Sequence, residues 1–263
     1  MYKEILRVAQ DAAIKAGELL KIGYGTAFTI NSKEGLHNLV TEYDIKSENI
    51  IIETLKAAFP DSTFLAEESG ELHSGNSGNI KWIVDPLDGT VNFAHNIPIF
   101  SVSIAAEIAN EIVVGVIYQP LLNELFTATK DGGAYLNRTK IQVTDIQDLK
   151  SAFLVTGFPY KATSKNSRSA ELFINVVQQG IPIRRLGSAA LDLAYVAAGR
   201  FDGFWELELN PWDVAAGVLL IREAGGNVTQ YDMSKYSVYD KSILATNGLI
   251  HQAASDFLSK KIL

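Results

Sequence analysis

The opening stretch MYKEILRVAQDAAIKAGELL places Ile5, Ala9, Ala12, Ala13, Ala16, Leu19 and Leu20 at helical spacing, and Gly23 and Gly25 follow as stop signals. A second helix is predicted from about Asp44 to Phe59, with Ile45, Ile52, Leu55 and Phe59 on its apolar side; Pro60 ends it. TFLAEE and KWIVD read as short strands that each deliver acids at their C-terminal ends. From Phe100 to Ala128 the pattern turns β-rich: SVSIAAEI, EIVVGVIYQ and ELFTAT, parted by Ala109-Asn110 and by Pro120 to Asn123, predict an antiparallel meander, and DGGAYLN adds a tight turn.

After about Ala152 strands and helices alternate. AFLVTGF, IPIRRL, DGFWEL, NVTQY and SILAT read as strands; Ser167 to Gln179, SAALDLAYVAAG, PWDVAAGVLLIREAGG and the final LIHQAASDFLSKKIL read as helices. Such alternation predicts an α/β second half. The seam falls at Thr144 to Lys150, which has no flexible-linker composition. Two halves, 1–145 and 146–263, are expected to pack as one unit.

Composition narrows the function classes. The chain has 263 residues, 47% of them hydrophobic and 20% charged, enough for a sizeable core. There is no cysteine, which removes disulfides, zinc–thiolate sites and thiol catalysis and suits a cytoplasmic protein. The net charge of −7, with no lysine or arginine block, argues against nucleic acid as the main ligand. The N-terminal stretch lacks the layout of a signal peptide, and the longest apolar runs, IVVGVIY and AAGVLLI, fall far short of the roughly 18 residues a membrane span needs.

The chemistry concentrates in WIVDPLDGTVNF, Trp82 to Phe93. An apolar strand is a poor place for two unpaired carboxylates, Asp85 and Asp88, unless a cation compensates them. Pro86 fixes the backbone after Asp85; Gly89 permits close approach; and a short helix opening at Asp88-Gly89-Thr90 offers free backbone N–H groups to an oxyanion. Cation-binding carboxylates beside anion-binding amides are what a metal-assisted attack on phosphate needs. A DPxDGT pattern arises by chance about once in ten thousand chains of this length, so it is specific. Glu67 and Asp213 complete a set of four acids at the junctions of strands or loops with helices. Each of these two also has a plainer reading, Glu67-Glu68 as a solvated loop and Asp213 as an acid at a helix N-terminus. The candidate ligands carry only oxygen donors, which select Mg²⁺ or Mn²⁺ over Zn²⁺.

Taken with four further segments, LVTEYD (39–44), LAEESG (65–70), RRLGSAALDLAYVAAGRFDGFWE (184–206) and NPWDVAAGVLLIREAGG (210–226), this motif resembles the inositol monophosphatase family of magnesium-dependent, lithium-sensitive phosphatases over nearly the whole chain. The resemblance implies a layered αβαβα sandwich, of the inositol monophosphatase and sugar phosphatase type, with the site between the halves and a homodimer as the common assembly. It implies one metal on Glu67, Asp85 and the Leu87 carbonyl, a second on Asp85, Asp88 and Asp213, and a looser third near Glu67. Thr90, backed by Asp44, would orient the attacking water together with Glu67. Asp44 read alone is an N-terminal residue of the second helix. The amides of Gly89 and Thr90 would bind phosphate; Gly187, Ser188, Ala189 and Glu206 would form the polyol pocket; and Lys33 would sit on a flap. The family more often has aspartate where Asn38 stands. His37, His73, His95 and His251 show no ligand spacing and are read as structural, with His95 placed nearest the site.

The function implied is hydrolysis of a small phosphorylated polyol, inositol 1-phosphate first. Within the superfamily the alternatives are a sugar bisphosphatase or a phosphatase of 3′-phosphorylated nucleotides or NADP; VNF after DPLDGT favours the inositol branch. From another class, the alternative is a metal-binding regulatory protein without turnover.

Overall fold

The computed structural model describes residues 2–32, 39–72, 79–159 and 168–259. Lys33, His37, Asn38 and His73 lie outside them. The first helix, α1 (Tyr2–Gly23), is followed by the strands β1 (Ile30–Ser32) and β2 (Leu39–Thr41), which pair antiparallel, and by α2 (Glu42–Ala58). Then come β3 (Thr63–Ala66), β4 (Gly70–Leu72), β5 (Lys81–Asp88) and a five-residue helix, α3 (Thr90–Ala94). The meander is β6 (Ser101–Ile108), β7 (Glu111–Gln119), β8 (Glu124–Thr129), β9 (Gly133–Leu136) and β10 (Thr139–Lys140). The second half holds β11 (Leu154–Thr156), α4 (Arg168–Gln178), β12 (Ile183–Arg184), α5 (Ala189–Ala197), β13 (Gly203–Leu207), α6 (Pro211–Glu223), β14 (Asn227–Thr229), β15 (Ser242–Thr246) and α7 (His251–Ser259).

Two larger sheets organise the molecule. One has eight strands in the order β10-β9-β8-β7-β6-β5-β3-β4, the other five in the order β12-β11-β13-β15-β14. Strand alternation assigns each face a helical partner. On β5, Trp82 and Val84 join α1 and α2 in one apolar cluster, while Ile83 points the other way, to α5 and α6. On β13, Phe204 joins that α5–α6 cluster and Trp205 packs with α4 and α7. The result is a five-layer αβαβα stack whose central layer, α5 and α6, is covered by a sheet on both sides. That coverage explains the nearly all-apolar sequence of α6, which is buried continuously from Val214 to Ile221. No helix among the described residues is long and apolar enough to cross a membrane.

Two expectations are corrected. The KWIVD strand does not stop at Asp85; β5 continues to Asp88 through a bulge, Asp85 pairing with Ser103 and Asp88 with Ser101. Pro86 has no N–H to give to a ladder, so the irregularity falls where a regular strand would lose a bond. In α2, Leu55 is buried and Ile52 and Phe59 pack partly buried against the α1–β5 cluster, as read, but Ile45 does not face inward. Ile45 is 47% exposed, and the buried positions are Asp44, Ser47, Glu48, Ile51 and Leu55. The first part of this face is polar because it meets backbone: Ser47 Oγ donates to the Pro86 carbonyl at 2.7 Å, and Glu48 Oε2 accepts from the Glu68 N–H at 2.9 Å.

Candidate active site

The bulge of β5 and the start of α6 open onto one cavity of about 700 Å³. Glu67, Asp85, Leu87, Asp88, Gly89, Thr90, Glu206 and Asp213 all line it. Glu67 follows β3; Asp85, Leu87 and Asp88 come from the bulge, Glu206 from β13 and Asp213 from the first turn of α6.

Helix starts anchor the acids. Asp213 Oδ2 accepts the Asn210 N–H at 2.7 Å, the reciprocal half of a capping box on α6. Asp88 Oδ2 accepts the Ser188 hydroxyl at 2.6 Å and the Ala190 N–H at 2.8 Å, at the start of α5. Asp44, behind the cavity, uses Oδ2 to accept the Thr41 N–H at 2.8 Å and the Thr41 hydroxyl at 2.6 Å at the start of α2, while its Oδ1 accepts the Thr90 hydroxyl at 2.9 Å. Asp85 Oδ1 accepts the Leu87 N–H at 3.0 Å within the bulge. The helix-capping readings of Asp44 and Asp213 therefore hold alongside their place at the site. One oxygen satisfies the backbone, and this fixes where the other points.

Gly89 sits at φ +95°, and a Cβ there would come within 2.9 Å of the Ile99 carbonyl oxygen, so no other residue fits this turn. The short helix after it is held by Phe93, which packs edge-on against Phe100 with ring centroids 5.1 Å apart. Asn92 Nδ2 ties it to the Ile99 and Leu186 carbonyls at 2.7 and 2.9 Å.

The acids repel one another. Burial raises the Asp85 pKa well above the usual carboxylate range, and the charges of Glu67, Asp88 and Asp213 raise it further. Asp213 is raised by burial and Glu67 against the Asn210 N–H, with Lys241 opposing. Burial lifts Asp88 to about 6 despite the Ser188 and Ala190 bonds. Glu206 is raised by burial, Asp213 and Asp88. Lys241 is, among the described residues, the sole cation on the cavity wall, facing six acids once Glu208 is counted. Among the described residues, no three carboxylate or imidazole side chains stand in a ready-made ligating cluster. Asp85 and Glu67 approach within side-chain hydrogen-bond reach, and like-charge repulsion opposes closer convergence of the set. Oxygen-only donors with this uncompensated charge fit a hard divalent cation.

Some expected site residues lie elsewhere. Gly187, Ser188 and Ala189 are not on the cavity wall; Ser188 reaches it through Asp88. His95 closes α3 and is exposed, outside the cavity lining. His251 is buried with its ring nitrogens 2.8 and 2.9 Å from the Thr229 and Thr246 hydroxyls, a structural role. Phe158, Pro159, Glu208, Leu209 and Lys241 line the cavity without having been singled out. They carry no motif, since loop connections alone bring them to the site.

The family model for inositol monophosphatases matches residues 1–261. The chain belongs to the inositol monophosphatase family. That places it among metal-dependent phosphatases of this superfamily. It is 45% identical over 257 residues to an inositol-1-monophosphatase of Synechocystis sp., covering 97% of this chain and 88% of the relative. It is 44% identical over 254 residues to the Nus factor SuhB of Escherichia coli K12, covering 95% and 93%. Among solved structures, extragenic suppressor protein suhB from Bartonella henselae superposes with a TM-score of 0.93 at 42% identity, covering 98% of this chain and 100% of that one. The inositol monophosphatase from Anabaena (Nostoc) sp. gives 0.86 at 42% identity, covering 97% and 95%. These likenesses agree with the layered α/β sandwich.

Proposed function

We propose that this inositol monophosphatase family member hydrolyses a small phosphorylated polyol, inositol 1-phosphate, in a magnesium-dependent reaction. The observation that supports the reading is the anchoring of Asp88 and Asp213, each by one oxygen, on the wall of one cavity, with Asp44 fixed behind it against Thr90. Glu67, Asp85, the Leu87 carbonyl, Asp88 and Asp213 would hold two or three ions. Magnesium, when bound, supplies positive charge for the attacking and leaving oxygens and acidifies water.

The chain's own groups do the rest. The Thr90 hydroxyl has acceptors for its proton in Asp44 Oδ1 at 2.9 Å and the Leu87 carbonyl at 3.0 Å, so its lone pairs are left to accept a hydrogen bond from the incoming water and aim it at phosphorus. The first amides of α3, Gly89 and Thr90, have no intrahelical acceptor and suit phosphoryl oxygens. Glu206, buried in the wall, accepts from polyol hydroxyls, and Ser188 holds Asp88 in place. Acid–base help of this kind is worth about 10²–10⁴-fold. The uncatalysed reaction demands a barrier reduction on the order of 20 kcal/mol, so charge stabilisation must supply most of it.

The test is phosphate release from inositol monophosphates, sugar bisphosphates and 3′-phosphonucleotides, with magnesium and with chelator. Release from inositol 1-phosphate that chelator abolishes is expected; undiminished release in chelator contradicts the reading. Relatives named Nus factor SuhB support a second reading, a regulatory protein that keeps the site. Absence of turnover on every substrate would favour it.

A further inference from the structure

A second cavity, about 540 Å³, shares no wall with the acidic one. It lies between the last turn of α6, the β6–β7 and β8–β9 connections and residues 235–238. Its floor is apolar, with Leu219, Tyr236 and Val238 all buried.

The charged groups on its rim are unevenly committed. Glu223 spends both oxygens on the N–H groups of Asp131 and Gly133, each at 2.8 Å. Glu107 accepts the Tyr239 hydroxyl at 2.7 Å, and Glu111 is paired with Lys130. Arg222 has no carboxylate partner among the described residues; its one hydrogen bond runs from Nη2 to the Tyr236 carbonyl at 3.3 Å. Its side chain stays accessible, yet crowding by its neighbours pushes its pKa down. Lys235 is exposed and makes no salt bridge within 4 Å among the described residues, though its charge is felt by Glu111. A guanidinium so placed has donors to spare for an anion, which it binds by charge-assisted hydrogen bonds.

We propose that this cavity binds a small organic monocarboxylate, its acid group between Arg222 and Lys235 and its apolar body over Leu219, Tyr236 and Val238. The four acids and three bases on the wall sum to −1 (3 − 4), which disfavours a polyanion such as a phosphate ester and leaves the local donors to hold a single charge. The volume is within the range of small-molecule sites and leaves room for a ligand of that size. The plainer role for Arg222, a cation meeting the C-terminal dipole of α6, needs no ligand.

Titration calorimetry on the full chain, with benzoate as the probe, separates the two. One saturable site is expected. Arg222→Gln should weaken it about tenfold or more, the worth of a charge-assisted hydrogen bond. Lys235→Gln should also weaken it, Asp213→Asn should leave it unchanged, and benzyl alcohol should not compete. If Arg222→Gln does not fold, as judged by its melting curve, the exposed Lys235→Gln carries the test. Three results would each overturn the proposal: no saturable binding, equal affinity in the wild type and the cavity variants, or loss of binding in Asp213→Asn alone.

Discussion

The Thr90 hydroxyl donates to Asp44 Oδ1 at 2.9 Å while Asp44 Oδ2 is held by Thr41 at the start of α2. One carboxylate thus caps a helix and orients a hydroxyl 46 residues away in sequence. Thr90→Val should keep the fold and lower kcat by about 10²–10⁴, the range for a lost acid–base partner. Thr90→Ser should recover most of it. Asp44→Asn should lose comparable kcat while keeping the cap, since the asparagine side-chain oxygen can still accept from Thr41. Phosphate-release kinetics beside thermal melts check this; a Thr90→Val enzyme with normal kcat would remove Thr90 from the reaction.

Asp213 is a raised, crowded acid whose removal should have opposite effects on folding and turnover. In chelator, Asp213→Asn should melt a few degrees above the wild type, since a gain of about 1 kcal/mol moves Tm by ~2–4 °C in a chain of this size. In magnesium it should lose turnover. A variant that melts lower in chelator would show that the charge repulsion at the site is not destabilising.

The same repulsion sets a pH dependence. Asp44 and Asp88 are lifted to about 6, and Asp85, Glu206 and Asp213 are raised well above their ordinary values. Between the unfolded values near 4 and these folded ones, the folded chain binds more protons, so stability falls as pH rises. His251, lowered to about 4 by burial, works the other way, against these five acids and buried Asp192, which is raised as well. Melting in chelator should therefore rise as pH drops from about 8 to about 5. Magnesium should remove the trend, because bound cations replace the protons. A flat profile in chelator would contradict the charge crowding.

What the sequence disclosed and what it hid follow from range. Asp85 and Asp88 were legible because Pro86 and Gly89 give their turn a local signature. The β5 bulge was not, since it depends on pairing with Ser101 and Ser103 in β6. Of the residues read on the apolar side of α2, Leu55, Ile52 and Phe59 pack inward and Ile45 does not, because the first turn of that face is taken by polar residues. Ser47 and Glu48 are buried for hydrogen bonds that a hydrophobicity pattern does not contain. The β1–β2 pair, β4 and the β9–β10 pair are three residues or so per strand, too short for periodicity. Lys241 reached the cavity wall through loop geometry alone.

Gly157 offers a test of the polyol wall. A Cβ at this position would lie 2.2 Å from Glu206 Oε2 and 2.5 Å from its Cδ, although its backbone angles suit any residue. Gly157→Ala should displace the Glu206 carboxylate. KM for inositol 1-phosphate should rise about tenfold, as for a lost hydrogen bond of about 1.4 kcal/mol, with KM for an aryl phosphate nearly unchanged. Equal effects on both substrates would take Glu206 out of polyol recognition.

The central claim is that these carboxylates gather divalent cations in one cavity. Crystals soaked in manganese, read by anomalous scattering, test it most directly. The account predicts peaks about 2.0–2.3 Å from oxygens of Glu67, Asp85, Asp88 and Asp213, the distance hard cations keep from carboxylates. A map with manganese only at other sites, or with none in this cavity, would contradict it.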